Sequence, residues 1–267
     1  MNIRFHSLFA LTGLVLLASC AKEREDAHDE TIASTEAVAR SVDASVDELA
    51  DAIAFRSDSS GFNLPECVVV SDSGAEEYPR LITLDFGDGC TDALGRTRTG
   101  MMHISISLPW SEVGSIRTVT FEDFTVTRPM QNVAVGVEGE RQLERLEPGL
   151  DGETRWERNI NTVLTHPDFT VERSFNGIRR WISGEGDPAA DQIFGLTGSG
   201  SHTRNGWVRT RTILQELVVD QTCGEPITGS VEITRPMFAD GVLDFGDGEC
   251  DGTATLTVGG EVLTINI

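Results

Sequence analysis

Lysine is almost missing from this chain. Lys22 is the only one, so 20 of the 21 basic residues are arginines, set against 43 acidic residues for a formal charge of −22. Binding a phosphate backbone needs basic patches, so nucleic acid is excluded as an expected partner. The same acidity argues against peripheral docking on anionic lipid headgroups. It suits a saline, cation-rich habitat, and equally a soluble extracytoplasmic protein kept monomeric by its charge. Metal-ligand spacings such as Cys-x-x-Cys or His-x-x-x-His are absent, which argues against zinc. His28, His103, His166 and His202 are scattered, and Gly198-Ser199-Gly200-Ser201-His202 is no nucleophile elbow, since no helix follows it. No glycine loop of the phosphate-cradling kind is present. With so many carboxylates, a pair suited to glycoside hydrolysis carries no information. No catalytic residue is nominated, and catalysis is not the expectation.

The start of the chain is informative. Arg4 precedes an apolar run, Leu8 to Leu17, that is too short to span a bilayer. Leu17-Ala18-Ser19-Cys20 closes it and resembles the lipobox of bacterial lipoproteins. The resemblance implies that residues 1–19 are a signal peptide and that Cys20 is lipidated, with multi-chain anchoring of the stable kind. The expected address is the bacterial cell envelope, at the outer membrane, on either its periplasmic or its surface-exposed face. Residues 20–34 read as an acidic flexible tether. Its acidic residues behind Cys20 also resemble the export signals of surface lipoproteins in Bacteroidetes-type bacteria.

Val38, Val42, Val46, Leu49 and Ile53 recur in steps of four and three, predicting an amphipathic helix over residues 35–56. Ser34 or Thr35 is its candidate cap, with Glu36 in the first turn. The stripe is expected to pack on the main domain, a partner-binding helix being the alternative. From Leu64 onward the texture is alternation: Val119 with Phe121, then Phe124 with Val126, Val133-x-Val135-x-Val137, and Leu263-x-Ile265-x-Ile267. Asn176-Gly177, Asn205-Gly206 and Gly259-Gly260 supply the residue pairs of two-residue hairpins. The expected fold is all-β: a single domain over residues 64–267, built as a long-stranded antiparallel meander with the one N-terminal helix. A curved open sheet and a sandwich both hide the apolar face. An outer-membrane barrel is excluded by the lipobox and by charges such as Arg209 and Arg211, taken to lie on both strand faces.

Setting Cys20 aside leaves Cys67, Cys90, Cys223 and Cys250, an even set that reads as two disulfides in an exported chain. The local pairing Cys67–Cys90 and Cys223–Cys250 is favoured because the contexts match. Leu84-Asp85-Phe86-Gly87-Asp88-Gly89 ahead of Cys90 recurs as Leu243-Asp244-Phe245-Gly246-Asp247-Gly248 ahead of Cys250. Two similar corners are implied. Asp85, Asp88 and Asp92, with Asp244, Asp247 and Asp251, are candidate calcium ligands, since carboxylates on a glycine-rich turn suit a hard cation. The competing reading is a tight turn whose aspartates bond backbone amides and whose phenylalanine enters the core, with no cofactor at all.

These corners, with Gly95-Arg96-Thr97-Arg98-Thr99-Gly100, the Thr118-to-Thr127 strand and the stretch Trp181 to Gly198, resemble a group of uncharacterised lipoproteins common in Bacteroidetes. The resemblance implies a lipoprotein with an all-β body and carries no activity. Trp156, Trp181 and Trp207, near Arg179 and Arg180, either line a glycan or peptide groove or, as the favoured reading, fill the core or stack under arginine. The expected function is a membrane-anchored structural or binding module, its protein or glycan partner undefined. The alternatives are a carrier of apolar ligands on a concave sheet face and a glycan-active enzyme.

Overall fold

The computed structural model describes residues 12–54, 64–74, 78–93, 95–127, 133–185, 192–223 and 225–266, with α1 side chains from Thr31 onward except Ala33. Helix α1 (Thr12–Ala54) is followed by β1 (Val69–Asp72), β2 (Arg80–Asp85), β3 (Cys90–Thr91), β4 (Thr97–Ile106) and β5 (Ile116–Thr127). Then come β6 (Ala134–Arg145), β7 (Arg155–His166), β8 (Phe169–Ser183), β9 (Ile193–Arg204) and β10 (Trp207–Asp220). The chain closes with β11 (Glu225–Thr234), β12 (Gly241–Asp247), β13 (Thr253–Val258) and β14 (Glu261–Asn266). All fourteen strands form one antiparallel sheet in chain order, an open meander with β1 and β14 at its edges, and β3 pairs with β4. The fold is thus the curved-sheet form of the expected meander, not a sandwich.

The turns follow backbone chemistry. Asn205-Gly206 and Gly259-Gly260 join β9 to β10 and β13 to β14 with positive φ at both positions, as two-residue hairpins of this twist require. Asn176-Gly177 does not turn the chain: it lies inside β8, where Asn176 pairs with Asn159 and Ser199. A Cβ on Gly177 would collide with the Thr197 carbonyl and the Phe175 ring, so this glycine serves strand packing. The alternation in β5 slips by one at Glu122-Asp123, where the register to β4 shifts. Gly100 (φ 75°) accommodates the close approach of the Asp123 backbone there, so Val119 and Phe124 both point inward.

Helix α1 covers the inner face of the sheet. It extends further upstream than the apolar stripe predicts, and Ser34 and Thr35 do not cap it. Their hydroxyls bond the Thr31 carbonyl within the helix instead. Val38, Val42, Val46, Leu49 and Ile53 pack on Ile82, Leu84, Met102, Ile104, Val119 and Phe124, while Ile32 joins the cluster of β10–β14. A flat sheet this wide would measure on the order of 60 Å across, against a helix of about 10 Å diameter. Yet side chains from β4 to β10, together with Phe245 of β12, reach the same helix. The sheet therefore curls round α1.

Both disulfides form as paired from sequence, Cys67–Cys90 and Cys223–Cys250. The first turn of the two corners is alike. Asp85 and Asp244 each accept the amide two residues on, at 2.8 Å, and Phe86 and Phe245 are both buried.

Candidate functional site

At 100° per residue, Glu36, Asp43, Asp47 and Asp51 form a second stripe on α1, roughly 130° round from the valines. The strands answer with arginines at inward positions, each two residues from an inward apolar neighbour: Arg117 before Val119, Arg141 before Leu143, Arg158 before Ile160, Arg173 before Phe175. Strand periodicity puts these on the same face as the core.

The pairing is dense. Asp51, with no exposed surface, bonds Arg117 at 2.8 Å and Arg179 at 2.5 Å. Asp47 takes Arg141 and Arg158, both at 2.8 Å. Asp43 takes Arg173 at 2.9 Å and Arg141 at 3.2 Å. Glu36 takes Arg211 at 2.8 Å and His202 at 3.3 Å. Arg98 donates to Ser45 at 2.7 Å and to Asp92 at 3.0 Å. Burial alone would raise the Glu36 carboxyl, but Arg211 and His202 outweigh it and hold the group well below the usual range. Asp43 is held low in the same way, against its burial, by Arg173, Arg141 and Arg158. Burial pushes His202 down to about 4, only partly offset by Glu36, so at neutral pH it sits uncharged beside that carboxylate.

Two adjoining cavities open along this seam, of about 90 Å³ and about 40 Å³. Arg40, Asp43, Arg158, Leu196 and Leu217 line both. Their walls combine guanidinium and carboxylate groups with apolar side chains, a lining suited to holding a small amphipathic molecule.

The residues singled out from sequence fare differently. Arg209 and Arg211 lie on one strand face, not two, and both turn to the helix, since positions two apart in a strand share a face. Trp156 is fully buried and stacked on Trp110, Trp181 is nearly buried against Phe194 in a tilted contact, and Trp207 is 37% exposed at an edge-on contact with Phe238. The carboxylates nominated for calcium are not brought together. Asp85 and Asp244 bond backbone amides, Asp251 bonds Thr253, and Asp92 is engaged by Arg96 and Arg98. Asp88 and Asp247 join no such cluster either: among the described residues no group of three or more histidines, cysteines or acidic residues is arranged to hold a metal ion. The side chain of Cys20 and residues 1–11 lie outside the described residues. Among the described residues no helix is long and apolar enough to cross a membrane.

Apolar periodicity by itself does not reveal the Arg–carboxylate seam. Its signal in the sequence is acidic residues seven and four apart along the helix that the valine stripe predicts, and arginines in phase with inward apolar residues of the strands. No family model, curated protein or solved structure matches this chain.

Proposed function

We propose that the chain is a lipid-anchored lipoprotein of the bacterial envelope whose β body serves as a binding module. Cys20 carries the lipid, at the outer membrane, and the body acts without a resident metal or cofactor. The observation that supports this reading is the seam itself. The helix that continues from the position of Cys20 is clasped inside the sheet by buried ion pairs. Such a clasp ties the body to its anchor. It also occupies the inner face with α1 and guanidinium groups, which favours a polar binding module over a carrier of apolar ligands. Burial of Trp156 and Trp181 leaves the glycan or peptide groove without two of its three candidate tryptophans. Nucleic acid has no place in the proposal, because many of the arginines that would meet phosphate are turned inward.

Fractionation tests the anchor. Wild-type protein should partition with membranes and incorporate labelled fatty acid, and Cys20→Ser should be soluble and unlabelled. Persistent membrane attachment of Cys20→Ser would contradict the proposal. Calcium titration of the purified chain should leave its melting temperature unchanged; a saturable rise removed by Asp88→Asn with Asp247→Asn would restore the corners as metal sites.

A further inference from the structure

Arg40 is carried by α1 itself, whereas the other arginines of the seam come from the strands. It shares the helix face of the acidic stripe and stacks over Phe245, 4.0 Å from the ring centroid, with its side chain 11% exposed. Among the described residues it donates no hydrogen bond, and its Nε and Nη2 are buried without an acceptor. The carboxylate oxygen that comes within reach, Glu36 Oε2, stands at 3.9 Å and lies 2.8 Å from Arg211. The other stripe carboxylates are each held by two arginines. Burial is the largest influence on Arg40 and draws its guanidinium down to about 10, with Glu36 and Asp43 offsetting only part. Arg158, 7% exposed, also keeps a buried Nε without an acceptor. A buried cation left without a hydrogen-bonded counter-charge is costly, and native structures supply the partner as an ion, water or ligand.

Both cavities are lined by Arg40, Asp43 and Arg158 and share an apolar patch of Leu196 and Leu217; the larger adds Phe194 and Val219 to that patch, and Asp47, Glu48, Gln221 and Glu225 around it. Across the two linings six arginines (Arg40, Arg96, Arg158, Arg173, Arg179 and Arg211) face five carboxylates (Glu36, Asp43, Asp47, Glu48 and Glu225), an excess of one positive charge that calls for one negative charge. A dianion such as phosphate would be desolvated next to Asp43, with nothing to offset its second charge. The apolar patch calls for a hydrocarbon body. We propose that the cleft between α1 and strands β7–β11 binds a small organic monocarboxylate, its carboxylate meeting Arg40 and its apolar body lying on Leu196 and Leu217. This rests on the reading of the body as a binding module and is independent of the lipid on Cys20.

The test is calorimetry on the full chain in detergent with three probes at matched ionic strength: sodium benzoate, benzamide and sodium chloride. Benzoate should bind saturably in the millimolar range or below, with benzamide and chloride weaker by about tenfold or more. Arg40→Met should abolish benzoate binding while keeping or raising the melting temperature without ligand, because it removes a buried cation that lacks a partner. Leu196→Phe, which fills the cleft and leaves Arg40 in place, should weaken benzoate by a similar factor. Three results would overturn the proposal: no saturable benzoate binding to wild type, benzamide or chloride equal to benzoate, or unchanged binding in Arg40→Met. Any of these with Cys20→Ser still released from membranes would reject the ligand class alone.

Discussion

Asp51 concentrates the chemistry of the seam at one residue. It has no exposed surface and is held by Arg117 and Arg179, with Gln221 adding a bond at 3.2 Å. Removing one side of a buried pair leaves charge without compensation and costs about 3–5 kcal/mol. Asp51→Asn should therefore lower stability by that order in urea denaturation, whereas Asp168→Asn, at an exposed carboxylate, should change it little. Acid should act on the same seam in two stages. His202, at about 4 in the fold against an ordinary 6.5, lets the unfolded chain take up a proton first. Its contribution is complete above pH 6.5 and is lost as pH falls toward 4, on the order of 3 kcal/mol. Burial would raise Asp51, yet Arg179 and Arg117 bring it down to about 2 against 3.8. Its contribution is present above pH 3.8 and is lost as pH falls toward 2. Melting temperature should fall in both windows, and His202→Gln should remove the upper stage and leave the lower one.

At the scale of elements, much was legible because one rule decided each case. The valine stripe fixed the helix face, period-two alternation fixed the strands, and Asn205-Gly206 and Gly259-Gly260 fixed two hairpins. Asn176-Gly177 shows why local chemistry is not enough. The same dipeptide sits mid-strand because Gly177 relieves a collision with β9, a tertiary demand that nothing nearby in sequence announces. The corners were legible as a pair because an aspartate two residues before a glycine makes its own backbone bond. Asp85→Ala and Asp244→Ala should each cost about 1 kcal/mol by thermal denaturation, equally in the two corners. Reducing the disulfides, which close loops of 23 and 27 residues, should cost on the order of 3 kcal/mol each.

At the scale of the whole molecule, charge is sorted by side. The chain carries −22 overall, yet many of its arginines face inward, so the outer surface is more acidic than composition alone indicates. Composition could not reveal this, because the sorting depends on how far the sheet curls, and curvature has no signature in a strand's own alternation. Arginine fits these inward positions because its planar fork bridges two carboxylates, or a carboxylate and a hydroxyl, while staying charged when buried. The sheet thereby encloses a helix that is apolar on one side and acidic on the other, and burial on both sides is the central claim. Hydrogen exchange of the full chain, read by mass spectrometry, tests it most directly. The amides of residues 36–53 should exchange only through global unfolding, as slowly as those of β7 and β8 at the centre of the sheet. Exchange of those helical amides as fast as that of the edge strand β1 would show a helix resting on the sheet rather than enclosed by it, and would contradict the account.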